Sequence, residues 1–176
     1  VGADSLIHVH VEDSLDSIQV QTLLSAAIKR TGSEIVLCGK QAADTNSGST
    51  GPGIASILDY SCVGVVSEVS VDDGVLVATR QGPSGLEEIE VSAPCLFTFD
   101  KGESELRRPN VRGIMMAKKK TIETLTPENL DVVLGESSVV VDSQSTPPNK
   151  PPGQKFEGVS AIATVVQKLR DEANVI

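Results

Sequence analysis

"IVLCGKQAADTNSGSTGPGIASILDY", residues 35–60, opens as an aliphatic run and closes on a helical pattern, with polar and small residues between the two. The run over 34–39 is nearly all apolar and ends at Gly39, which predicts a strand covered on both faces. Ile54, Ile57 and Leu58 mark a short helix after it. A Gly/Ser/Thr-rich loop between a parallel strand and a helix is where α/β sheets hold phosphates. Small residues let backbone N–H groups turn inward, and the helix start adds positive potential. Ser47, Gly48, Ser49, Thr50 and Gly51 occupy that place, with Thr50 expected as N-cap and Pro52 near the first helical position. Asp44 is placed to accept from a ribose hydroxyl or a backbone amide, and Gln41 to reach a base or the backbone. The spacing is neither GxGxxG nor GxxxxGK[ST], so a nucleotide loop and an ordinary flexible connection both stay open.

Residues 5–11 read as a strand. Val20, Leu23, Leu24, Ala27 and Ile28 follow the stripe of an amphipathic helix that starts at Ser14 or Ser17 and stops at Gly32. Strand, helix, strand at this spacing predicts a right-handed βαβ unit and a parallel sheet. After residue 60 the period changes to two. "CVGVVSEVSV", "VLVATRQ" and "LEEIEV", separated by turns at Asp72 to Gly74 and at "GPSG", predict antiparallel strands in a meander. "CLFTFD" is a further buried strand, then comes a polar loop to Gly113, the basic run "MMAKKK", and a late strand over 137–144. The segment 145–154 carries four prolines and reads as an extended linker. Val159, Ile162, Ala163 and Val166 then share one face of a C-terminal helix, which is expected to dock on its own sheet or on another chain. The expected fold is thus α/β: a Rossmann-like parallel sheet (1–144) with an added antiparallel hairpin region, and a C-terminal Pro-rich arm plus helix (145–176).

The 176 residues are 39% hydrophobic and 22% charged, with a net charge of -9. So acidic a chain repels nucleic acid and anionic lipid over most of its surface. With aromatics at 2% and no Trp, base-stacking platforms are hard to build. Cys38, Cys62 and Cys95 lie in or beside apolar runs without CxxC spacing. That favours buried free thiols and a reducing cytoplasm. No apolar stretch reaches the roughly 18 residues of a membrane helix. The opening "VGADSLIHVH" lacks Met and enters a strand almost at once, which suggests a fragment whose first elements are absent or processed away. His8 and His10 share one strand face without acidic partners at ligand spacing, so no metal is expected. No nucleophile-elbow sequence accompanies them, and no catalytic residue is assigned. Arg107, Arg108, Arg112 and Lys118 to Lys120 concentrate positive charge in the acidic chain, as a solvated face or a docking patch.

"GKQAAD", the "TG" that follows it and "LDY" together resemble the nucleotide loop of the small (beta) subunit of electron transfer flavoproteins, including Fix-type members. The resemblance runs on through "VATRQGPSGLEEIEVSAPCLFT", "IMMAKKKTIE" and the "PP" plus terminal helix. It covers the chain and omits only the family's N-terminal strands. It implies a subunit that pairs with a larger alpha subunit holding most of a shared FAD, and that buries AMP, or a second FAD in electron-bifurcating members. Gly39, Lys40, Gln41, Ala42, Asp44, Thr50 and Gly51 match the motif, and Thr45, Asn46, Ser47, Gly48 and Ser49 complete the implied cofactor loop. "GPGIA" looks like Fix-type or bifurcating members whereas Thr50 looks like the AMP type, so both nucleotides stay open. The segment with Glu103, Glu105, Arg107, Arg108 and Arg112 is similar to the recognition loop that meets partner dehydrogenases. The implied function is electron transfer, by a carrier rather than an enzyme. Other readings of the same residues are a stand-alone adenine-nucleotide sensor or stress-type domain, and an interaction module whose glycine loop only connects.

Overall fold

The computed structural model describes residues 2–101, 105–150 and 152–175. Two compact units are present, Val1–Val140 and Val141–Ile176. In the first unit, strands β2 (Ile35–Gly39), β3 (Ser61–Asp72), β4 (Val75–Gly82), β5 (Gly85–Val91) and β6 (Cys95–Phe99) form one sheet in the order β2-β6-β3-β4-β5. The β2, β6 and β3 strands run parallel, while β3, β4 and β5 form the expected antiparallel meander. Helices α1 (Ser17–Thr31) and α2 (Thr50–Leu58) pack against each other, and α2 also packs on β6 and β3. The mixed α/β architecture with a parallel core is therefore as read from the sequence.

Strand β6 explains how the two halves share a core. Cys95 and Phe97 face a cluster with Val63, Val66, Leu76 and Ala78, while Leu96 faces the opposite cluster with Ile54 and Ala55. Alternate residues of a strand point to opposite faces, so one largely buried strand fills two cores. The β3 strand meets this demand with a bulge. Its register with β6 shifts between Val63 and Val66, and the inserted Val65 takes φ +60°. The shift lets Val63 and Val66 both face Phe97's side, and the Val65 amide donates to Thr98 Oγ1 at 3.0 Å.

Several expectations are corrected. The first strand is shorter than 5–11: β1 spans Leu6–Val9. It does not join β2, but pairs in parallel with β7 (Ile122–Leu125), a strand that the sequence reading missed. The strand-helix-strand unit is thus divided between two ladders among the described residues. Nor is β2 covered on both faces, since it lies at the edge of its sheet with Ile35 46% and Leu37 61% exposed. Residues 137–144 form no strand; Val139 to Val141 are exposed, and β-branched residues without a neighbouring ladder have nothing to pair with. Helix α3 (Val111–Ala117) falls where a polar loop and basic run were expected, and its Asn110 cap accepts from the Gly113 amide at 2.7 Å. In the second unit, the prolines leave residues 141–150 and 152–155 without regular structure. A 3-10 turn (Val159–Ala161) leads into α4 (Ile162–Asp171), where Ile162, Val166 and Leu169 are exposed.

The start of α1 is set by neither Ser14 nor Ser17 as a cap but by Asp16. Its carboxylate accepts from the Gln19 amide at 2.8 Å, and Gln19 Oε1 accepts from the Asp16 amide at 3.0 Å. The same carboxylate accepts from the Ser138 amide at 2.7 Å, which ties the segment after β7 to the helix. The stop at Gly32 is as expected, with φ +67°, a left-handed conformation that glycine adopts without steric cost. The buried face is rotated from the expected one: Leu24 is exposed, while Gln21 and Ser25 are buried.

The Gln19 and Ser138 amides hold the Asp16 carboxyl below its ordinary value, and Lys40 and Thr126 do the same for Asp100 and Glu128. A carboxylate whose folded pKa is depressed stabilises the fold above its unfolded value of about 3.9 and loses that contribution as pH falls through the folded value. Asp16→Asn keeps a capping oxygen but removes the titration. Urea midpoints measured down through about pH 4 should fall less steeply for this variant than for the parent. Parallel curves would show that Asp16 carries none of the acid sensitivity.

Candidate functional site

The loop from Gly39 to Gly51 leaves the carboxyl end of β2 and enters α2. Parallel α/β sheets take ligands at this end. Its base is tied to β6: the Lys40 amide donates to the Phe99 carbonyl at 2.8 Å, and Lys40 Nζ pairs with Asp100 Oδ2 at 2.8 Å. Within the loop, the Asn46 amide donates to the Ala42 carbonyl at 2.9 Å and Gln41 Nε2 donates to Asn46 Oδ1 at 3.0 Å. Asp44 Oδ1 accepts from the Thr45 amide at 2.7 Å. Asn46 at φ 52° and Gly48 at φ 60° turn the chain back, a left-handed conformation that favours glycine at position 48.

The cap differs from expectation. Thr50 is the first helical residue, Ser49 occupies the cap position without a side-chain bond, and Pro52 is third. Ser47 and Ser49 hydroxyls instead lie 3.3 Å apart. Among the described residues, no hydrogen bond engages the N–H groups of Ser47, Gly48, Ser49, Thr50 or Gly51. Pro52 has no N–H, and the Gly53 amide already donates to the Ser49 carbonyl at 2.9 Å. Successive unpaired amides at a helix start form a donor set suited to an anion. Gln41, Asp44, Thr45 and Asn46 are exposed, with Gln41 bonded to Asn46 and Asp44 to Thr45.

Three residues that hold this loop were not found from its own sequence. Gln21 of α1, 9% exposed, donates from Nε2 to the Ser49 carbonyl at 3.1 Å. Thr98 of β6 lies under Gly51: a Cβ on Gly51 would come 2.6 Å from Thr98 Cγ2 and 2.8 Å from Cys38 Sγ. Asp100 anchors Lys40. The one signal available was Gln21, a polar side chain beside an apolar helical stripe.

Of the expected docking residues, Glu103 lies outside the described residues. Glu105, Arg107, Arg108 and Arg112 are exposed, the first three before α3 and Arg112 in its first turn. His8 and His10 rings stand 5.8 Å apart edge to face. Burial raises the Cys38, Cys62 and Cys95 thiols, which disfavours the reactive thiolate. Of the three thiols expected to be buried, only Cys95 is; Cys38 is half-buried and Cys62 is exposed. Among the described residues no helix is long and apolar enough to cross a membrane.

Fold and loop together define an α/β protein with a glycine- and serine-rich loop at the carboxyl edge of its parallel strands. Residues 1–130 match the family model of the electron transfer flavoprotein domain. The electron transfer flavoprotein subunit beta of Bacillus subtilis is 30% identical over 183 residues, covering 100% of this chain and 71% of that protein. The electron transfer flavoprotein subunit beta of Homo sapiens is 32% identical over 173 residues, covering 96% and 68%. The chain belongs to the electron transfer flavoprotein family.

Proposed function

We propose that the chain is the small, beta-type subunit of a heterodimeric electron transfer flavoprotein and holds an adenylate group, as AMP or as part of a second FAD, in the Gly39–Gly51 loop. The observation that carries the reading is the run of unpaired amides from Ser47 to Gly51 at the start of α2. These donors would take the phosphate, with Thr50 placing a hydroxyl at the same end and Gly48 turning the chain. Lys40 orients the loop by its pairing with Asp100 and leaves the phosphate to the backbone. When bound, flavin shared with the alpha subunit supplies the one- and two-electron chemistry. This chain's part is binding and positioning, so it acts as an electron carrier subunit rather than as an enzyme.

The exposed segment with Glu105, Arg107, Arg108 and Arg112 is assigned to docking of a dehydrogenase donor, and the 145–176 arm and helix to the alpha subunit. The relatives' naming as beta subunits and the apolar stripe Ile162, Val166, Leu169 on α4 support the alpha-subunit part of that assignment. The three thiols and the lack of a spanning helix among the described residues favour a reducing, aqueous compartment such as the cytoplasm.

Co-expression with a candidate alpha subunit tests the assembly. A stable 1:1 complex with a flavin absorption band and an adenylate released on denaturation is expected, and a chain purified alone with no partner affinity would count against it. At the loop, Thr50→Val removes one hydroxyl donor. It should weaken AMP by about 1 kcal/mol, roughly fivefold in Kd, by calorimetric titration. Equal affinity would take the Thr50 side chain out of the site.

A further inference from the structure

We infer that Gln21, a residue of α1 outside the loop, is a positioning residue for the anion-binding end of α2, and that Gly53 is the small partner that makes room for it. The inference rests on the adenylate reading for its ligand and on geometry for its mechanism. Gln21 is 9% exposed, on the face of α1 that packs against α2. Its Nε2 donates to the Ser49 carbonyl at 3.1 Å, the same carbonyl that accepts from the Gly53 amide at 2.9 Å. Two donors converge on one oxygen, so the Ser49 peptide is held from both the helix axis and the neighbouring helix. Peptide planes are rigid. Fixing the Ser49 carbonyl therefore fixes the direction of the Thr50 N–H in the same plane, which is one of the unpaired donors.

The fit is close. A Cβ on Gly53 would come 2.2 Å from both Cδ and Oε1 of Gln21 and 2.7 Å from its Nε2. No rotamer of an alanine moves its Cβ, whereas the Gln21 amide is the far end of a flexible side chain, so Gly53→Ala displaces that amide from the Ser49 carbonyl. Position 53 carries an ordinary φ, so glycine there leaves the space that the Gln21 amide fills and serves no special backbone conformation. Gln21 and Gly53 thus form a large and small pair across the two helices, and the orientation of the loop's donors depends on both.

The pair can be separated from a purely structural role by two measurements on the full chain. Gln21→Leu keeps the bulk and removes the donor. It should raise the AMP Kd roughly fivefold, the effect of one lost hydrogen bond, and speed hydrogen exchange at the Gly53 amide with AMP absent. Gly53→Ala should lower AMP affinity without lowering Tm, since alanine favours the helix and the Gln21 amide can swing aside. Adding Gln21→Ala to it removes the displaced amide and should leave affinity low. Recovery of affinity in the double variant, or unchanged Gly53 exchange in Gln21→Leu, overturns the inference. If the parent chain takes up no AMP, the adenylate reading fails. The Gly53 exchange rate then still decides whether Gln21 holds the turn.

Discussion

Phe97→Ala should remove about 3–5 kcal/mol of unfolding free energy, the cost of losing a buried aromatic ring and leaving a cavity behind. Phe97 is 0% exposed and reaches Val63, Val66, Leu76, Ala78 and Cys95 from an interior strand of the sheet. Strands on both sides of β6 pair with it, so the surrounding backbone cannot collapse to fill the space. Small domains have only about 5–15 kcal/mol in total, so the variant should lose a large share of its stability. Urea unfolding followed by circular dichroism measures it. Phe99, partly buried at the end of β6, should cost less on the same change. A loss under about 1 kcal/mol at Phe97 would mean that the meander core is far looser than its burial implies.

The second large effect is expected at Gly51, where two principles oppose each other. Ala replacing Gly in a helix normally stabilises by about 0.5–1 kcal/mol through backbone entropy. Here the added methyl would meet Thr98 Cγ2 at 2.6 Å, Cys38 Sγ at 2.8 Å and Leu96 Cδ2 at 3.4 Å. Overpacking a close-packed contact costs about 1–3 kcal/mol, and Cys38, Leu96 and Thr98 all sit on paired strands that cannot retreat. Packing should win, with Gly51→Ala lowering Tm and weakening AMP as α2's first turn lifts from the sheet. Thr98→Ser deletes the offending methyl and keeps the oxygen that accepts the Val65 amide. In combination with Gly51→Ala it should recover part of both losses. A Gly51→Ala protein more stable than the parent would show that the turn lies farther from the sheet than these distances.

What could be read from the sequence divides by range. The stop of α1 at Gly32, the strand before Gly39, the meander turns at Asp73 and Gly74 and the loop entering α2 are local, each declared by residues within a few positions of one another. The β1–β7 ladder joins residues more than a hundred positions apart, and short strands such as "IETL" carry no periodicity long enough to announce it. Residues 137–144 show the opposite failure: strong β propensity with no edge to join. At the loop, the connection into α2 was legible because glycine and serine cluster just after a strand end. Gln21, Thr98 and Asp100 were not, since they come from α1 and from β6 and its end, and only packing brings them to the loop. Asp16 was passed over for the serines beside it, although the Asp-x-x-Gln spacing of a capping box was there to be seen.

The division of β6 between two cores has a consequence for how such chains diverge. Lengthening or shortening the hairpin tips at Asp73–Gly74 and Gly82–Gly85 alters only exposed ribbon ends, so lineages are free to vary there. Successive positions of β6 answer to different neighbours, odd ones to the meander and even ones to α2. Substitutions along that strand should therefore accumulate in two independent sets, each co-varying with its own face.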